Sequence, residues 1–149
     1  MKYFYSKIEK DKLLHVVNRL HEIEGRTEII PENNFLQCAT IQLSTDKKFP
    51  PHKHITKDRH YPKQIAQESW IVIKGSVKCI FYDLDDTILT TEILHPGDAS
   101  FTLYGGHTYE ILEDNTLVYE YKTGPYEGQA LDKEFITDVD HIDPYLQTR

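Results

Sequence analysis

A chain of 149 residues has the length of one domain and can bury a core without disulfide or metal staples. Charged residues make up 28% of it and the formal net charge is -7, with Lys and Arg scattered, so there is no basic stripe to neutralise phosphates and nucleic acid is not an expected partner. The opening Met-Lys-Tyr-Phe-Tyr-Ser-Lys lacks the apolar core of a secretory signal, and no run approaches the ~18 apolar residues of a membrane span, so the expectation is a soluble, cytoplasmic protein with no membrane partner.

Residues 6–24 predict a helix. Ser6 can cap it, Glu9 follows three residues later as a capping-box partner, Ile8, Leu13, Leu14, Val17, Leu20 and Ile23 recur at mostly helical spacing, and Gly25 is placed to stop it. His15 and His21 then read as surface histidines of that helix. From Thr27 onward the pattern changes to short strands between turns: 28–30, 35–43, 69–73, 76–84, 88–94, 99–103, 108–112 and 116–122. Turns recur about every ten residues, which argues an all-β sandwich or barrel. Gly75 is read as the turn of a hairpin joining 69–73 to 76–84. Cys38 and Cys79 sit in apolar alternating stretches and read as small buried hydrophobes. The acidic residues Asp83, Asp85 and Asp86 lack the glycine and closing glutamate of an EF-hand loop, and read as a solvated hairpin tip.

Two segments carry candidate chemistry. Pro50-Pro51-His52-Lys53-His54 arrives in extended form, and successive strand side chains alternate, so His52 and His54 share a face where two imidazoles can converge on one ion. Glu68 opens the apolar run Ser69 to Ile73 and shares a face with Trp70 and Val72, where a carboxylate is costly unless paired or coordinated. The second segment is Pro96-Gly97-Asp98, followed by Gly105-Gly106-His107. His107 opens a strand whose same face continues with Tyr109 and Ile111.

In this order, His-x-His, Glu68 with six residues between it and Gly75, Pro-Gly-Asp and Gly-x-His resemble the two motifs of the cupin superfamily, over roughly residues 49–122. The resemblance implies a double-stranded β-helix, or cupin jelly roll, with one divalent transition metal (Fe, Mn, Ni, Co or Zn) held inside by His52, His54, Glu68 and His107. The expected organisation is then an N-terminal helix over 1–26 packed on the barrel and a single cupin domain over 27–149 with a C-terminal tail. This chain departs from the family pattern at three points. Thirteen residues, Ile55 to Gln67, replace a usually short spacer and bring His60 as a competing ligand; one residue rather than two separates Gly105 from His107; and Leu103 stands at the usual proline. Gly124-Pro-Tyr-Glu-Gly and Asp132-Lys-Glu-Phe135 look like the closing segment of small bacterial cupins of sugar-nucleotide and surface-polysaccharide synthesis.

A metal with open coordination positions acts as a Lewis acid on a small oxygenated substrate. The leading expectation is therefore a metal-binding cupin of isomerase or epimerase type acting on a sugar or nucleotide-sugar, with a non-heme iron dioxygenase or a non-catalytic metabolite-binding cupin as alternatives. Tyr109 and Glu120 are the candidate proton-transfer groups; Glu120 and Tyr121 face opposite ways, so only one of them points inward. Ten tyrosines, several on strands, leave an apolar outer sheet face for the helix or a second subunit to cover, and the expected assembly is a homodimer.

Overall fold

The computed structural model describes residues 1–45, 47–54, 65–124, 128 and 132–136; His60 and most of the insertion and C-terminal tail lie outside them. The described chain is built from antiparallel β-sheet. Ten strands occur, β1 (Lys2–Tyr5), β2 (Leu13–Asn18), β3 (Arg26–Glu28), β4 (Ala39–Ile41), β5 (Glu68–Lys74), β6 (Val77–Tyr82), β7 (Ile88–Leu94), β8 (Ala99–Thr102), β9 (His107–Ile111) and β10 (Leu117–Lys122), with one 3-10 turn at Leu20–Glu22. They form a five-stranded sheet of order β1-β2-β8-β5-β10, a three-stranded sheet β7-β6-β9 and the pair β3-β4.

The expected helix over 6–24 does not form. Its local start signal is nevertheless used: the Ser6 hydroxyl accepts from the Ile8 and Glu9 backbone N–H groups at 3.0 and 2.9 Å. Asp11 then takes a left-handed φ of 73°, the Ser6 N–H donates to the Lys12 carbonyl, and the chain returns as β2 alongside β1. Leu14, His15, Val16 and Val17 are all 0% exposed in β2. A helix would turn part of this run outward, whereas a strand covered on both faces buries all of it. Each fully buried aliphatic side chain stabilises by ~1.5–3 kcal/mol, against about 1 kcal/mol for a cap, so the sheet wins.

Two cores result. One lies between the sheets and joins Val17 and Val72 to Val77, Cys79, Phe81 and Leu94, with Phe4, Trp70, Tyr109 and Val118 packed at its margin. The other covers the opposite face of the five-stranded sheet, where Val16, Ala99, Phe101 and Leu103 meet Ile29 and Ile30. Cys38 and Cys79 are free thiols, the second fully buried, as their apolar surroundings predict.

Gly75 is not a hairpin turn. β5 pairs with β8 and β10, while β6 pairs with β7 and β9, so Gly75 is a corner at which the chain leaves one sheet for the other. Its φ is +80°, and a Cβ there would lie 2.2 Å from the Thr116 hydroxyl, so glycine is required on both counts. The acidic tip is also more structural than its composition suggests. Asp83 is 1% exposed and accepts hydrogen bonds from the Ser6 hydroxyl and the Lys7 N–H, both at 2.6 Å, tying the β6–β7 turn to the β1–β2 loop.

Candidate functional site

The inner face of the five-stranded sheet is polar at one end. The pairing register aligns Lys122, Glu68, Thr102, His15 and Phe4 across β10, β5, β8, β2 and β1 in one row, and Glu120, Trp70, Ser100, Val17 and Lys2 in the next. Facing them, β9 presents His107, Tyr109 and Ile111 on the same side as Phe81, Cys79 and Val77 of β6. Alternation along each strand thus brings Glu68, from the start of β5, against His107, from the start of β9.

The Glu68 Oε1 and His107 Nε2 atoms are 3.1 Å apart. Glu68 is 8% exposed. Burial pushes its carboxyl pKa up, but the His107 hydrogen bond and charge, with Lys133 and Lys122 nearby, outweigh this and hold it below the ordinary carboxylate value. Glu68 is therefore an anion at neutral pH and can only accept, so the proton of this bond resides on Nε2 and the imidazole is oriented with Nδ1 as its remaining functional nitrogen.

Tyr109 stacks on Trp70, with centroids 4.0 Å apart and planes within 10°, and its hydroxyl lies 3.2 Å from Ser100 Oγ. Burial raises its pKa well above the ordinary tyrosine value, so it remains a protonated hydroxyl, suited to donate and not to act as a base. The expected face assignment holds on β10: Glu120 pairs with Trp70 on the inner face and Tyr121 with Ser69 on the outer. Glu120 is exposed. The Trp70 Nε1 atom is buried with no hydrogen-bond partner among the described residues. The Cys79 thiol is pushed up to about 12, mainly by burial, which leaves it unreactive at neutral pH.

His15 belongs to this interior and not to a surface helix. Its Nε2 lies 3.0 Å from the Tyr82 carbonyl, its Nδ1 3.2 Å from the Thr102 hydroxyl, and its ring stacks on Phe81 at 4.5 Å. The signal was present in the sequence: in Leu13-Leu-His-Val-Val four aliphatic residues flank a single histidine, close to the near-continuous apolar pattern of a strand buried on both faces.

His52 and His54 are exposed and close to one another, with ring centroids 5.5 Å apart. The His52 Nδ1 lies 3.0 Å from the Pro50 carbonyl, leaving its Nε2 as the available ligand atom. The structure does not bring these two to Glu68 and His107, and among the described residues no group of three or more His, Cys, Asp or Glu side chains converges to hold a metal. A catalytic metal takes three or more protein donors; Glu68 and His107 supply two, already bonded to each other. The described residues do not by themselves fit the expected ion. Asp98 of the Pro-Gly-Asp turn serves the fold: its carboxylate accepts from Arg19 at 2.7 Å and from the Leu20 and His95 N–H groups at 3.0 and 3.1 Å. An open depression of about 490 Å³ beside it, lined by Arg19, Leu20, His21, Ile93, His95, Pro96 and Asp98, lies at the opposite end of β8 from the Glu68–His107 pair. No described helix is long and apolar enough to cross a membrane. Comparison with protein-family models, curated proteins and solved structures finds no match to this chain.

Proposed function

We propose that the chain is a cupin-type jelly roll that binds a small oxygenated substrate, a sugar or nucleotide-sugar, at the Glu68–His107 end of its interior and acts on it as an isomerase or epimerase. The observation that carries this is the hydrogen-bonded Glu68–His107 pair spanning the two sheets. The strand order supports the jelly-roll assignment. From β5 to β10 the chain passes repeatedly between sheets, with β5, β8 and β10 in one and β6, β7 and β9 in the other, and only β6 and β7 form a sequential hairpin.

In this proposal Glu68 holds the imidazole in one tautomer, while His107 Nδ1 takes a proton from a carbon beside a substrate carbonyl and returns it. Tyr109, protonated and fixed on Trp70, is the donor available to the second proton transfer, and the Glu120 carboxylate, open to solvent on the same face, an acceptor. Metal binding is part of the same proposal. The resemblance would have His52, His54, Glu68 and His107 hold a divalent transition metal able to supply Lewis-acid polarisation of a substrate carbonyl, but no group of three or more such ligands converges among the described residues, and the proton transfers above do not depend on it.

The test is solvent-deuterium exchange into a panel of keto-sugars and nucleotide-sugars, with metal content measured on the same preparations. Exchange next to a carbonyl, lost at least a hundredfold in His107→Ala and reduced in Glu68→Gln, is expected. Exchange unaffected by His107→Ala would sink the assignment. Stoichiometric metal lost in both His52→Ala and His107→Ala supports the four-ligand site, and full occupancy in His107→Ala removes that residue from it. Oxygen uptake with small acids or thiols would instead favour the dioxygenase alternative.

A further inference from the structure

Residues 132–136 connect the two sheets at the end of the interior that holds Glu68 and His107. The Asp132 Oδ2 atom lies 3.4 Å from the Lys122 Nζ, and Lys122 is the Cα partner of Glu68 on the inner face of the five-stranded sheet. Lys133 stands near enough to the Glu68 carboxylate to help hold its pKa down. Three residues further on, Ile136 packs on Gly106, the residue before His107: a Cβ added at Gly106 would lie 2.3 Å from the Ile136 Cδ1 and 3.3 Å from the Tyr82 Cβ. Tyr82 follows Phe81, which is paired with His107 on the inner side, so by alternation this seat lies at the outer face of the three-stranded sheet. The four steps of chain from Asp132 to Ile136 reach at most about 14 Å, so the segment crosses directly over the end of the interior, beside the pair.

Only the two ends of the segment are held. Asp132 and Ile136 are half-buried, whereas Lys133, Glu134 and Phe135 are exposed. Little apolar surface therefore opposes its release, and segments with few buried contacts are those that open locally. The pair beneath is covered: Glu68 is 8% exposed and the His107 side chain 21%. The second glycine of Gly105-Gly106-His107 also acquires a reason. Gly105 has a φ of +75°, whereas Gly106 has no left-handed φ, and a side chain at Gly106 would fill the seat of Ile136.

We infer that residues 132–136 form a strap that closes the Glu68–His107 end of the interior, latched by Asp132 on Lys122 and by Ile136 on Gly106, and that the strap lifts off Gly106 to let a ligand reach His107 Nδ1. The inference rests on the reading of that pair as the site, and adds to it an entrance that opens and closes.

Carbethoxylation of histidines by diethyl pyrocarbonate, mapped residue by residue with mass spectrometry, tests the strap whatever reaction the site performs, just as deuterium exchange tests the reaction whatever the strap does. Rates are compared above about pH 8, where exposed imidazoles are unprotonated. His21, His52, His54 and His95 are exposed and His15 is fully buried, so they serve as internal standards for free access and for none. In the parent chain His107 should react roughly tenfold more slowly than His52. Gly106→Ala, whose methyl group displaces Ile136 with no left-handed φ to oppose it, and Ile136→Ala should each speed the labelling of His107 by roughly tenfold, with His15 still unlabelled. Both changes act on one contact, so the double variant should label His107 no faster than the faster single variant. A parent chain in which His107 reacts as fast as His52, a rate unchanged in both single variants, a double variant in which the two gains multiply, or labelling of His15 alongside His107 would each overturn the inference, the last by showing that the whole fold had loosened.

Discussion

Acidification should weaken this fold well before its carboxylates protonate, and His15 is the reason. The ring is fully buried, and burial, with a smaller contribution from His107, pushes its pKa down from 6.5 to about 4 against the opposing pull of the Tyr82 carbonyl and Asp83. The hydrogen bonds explain why the neutral form is retained: the Tyr82 carbonyl can only accept, so Nε2 donates and Nδ1 is left to accept from the Thr102 hydroxyl. The folded state thus holds a neutral imidazole while the unfolded chain takes up a proton below about pH 6.5, and stability falls as pH falls. Each unit between folded and unfolded pKa corresponds to about 1.4 kcal/mol. His15 therefore contributes about 3 kcal/mol at neutral pH, of which about 2 kcal/mol is lost between pH 7 and pH 5, with the loss levelling off near pH 4. Glu68, Asp83 and Asp98 have depressed pKa values, so their contributions are lost only as pH falls through the ordinary carboxylate range and below. Urea unfolding followed by the single tryptophan at pH 7, 6 and 5 reads the effect. His15→Gln, whose amide can donate and accept at the same two partners, should lower stability at pH 7 and remove about 2 kcal/mol of the loss between pH 7 and pH 5. Equal pH dependence in the parent and His15→Gln would refute the assignment of that loss to His15.

Two further stability changes are expected. Gly105→Ala forces a φ of +75° on alanine and sets its Cβ 2.5 Å from the Tyr82 carbonyl, the same group that holds His15; a cost of about 1–3 kcal/mol in chemical denaturation is expected, and a neutral result would mean that the β8–β9 turn relaxes freely. Asp98→Ala leaves Arg19 without one of its two carboxylate partners and two backbone N–H groups without an acceptor, so a loss of about 3 kcal/mol in thermal or urea melts is expected, whereas a loss below ~1 kcal/mol would show that the Pro-Gly-Asp corner is held by its backbone alone.

Most strand intervals after residue 65 were legible in the sequence, because turn chemistry and two-residue alternation are local properties. The expected 88–94 is β7 itself, and 99–103, 108–112 and 116–122 differ from β8, β9 and β10 by a residue or two. Face assignments followed the same rule: Glu68 with Trp70 and Val72, His107 with Tyr109, Glu120 against Tyr121. The N-terminal region misled because its local signals are genuine. Ser6 does cap a turn, but residues 13–17 also place Leu13, Leu14, Val16 and Val17 around a single histidine, and two covering layers, absent from any local window, decide between helix and strand.

Pairing was the part that only tertiary structure decided. A glycine at position 75 fixes a change of direction, yet whether the next strand folds back on the last or crosses to a facing sheet depends on partners up to about fifty residues away, Leu117 to Lys122 for β5 and His107 to Ile111 for β6. The sequence by itself determined which side chains share a face, since that is set by backbone alternation. Only the packed sheets decided that Glu68 would meet His107, that His15 would be held neutral beneath them, and that His52 and His54 would stand apart from both, because contact between elements arises from the joint burial of their faces and is encoded in no single stretch of chain.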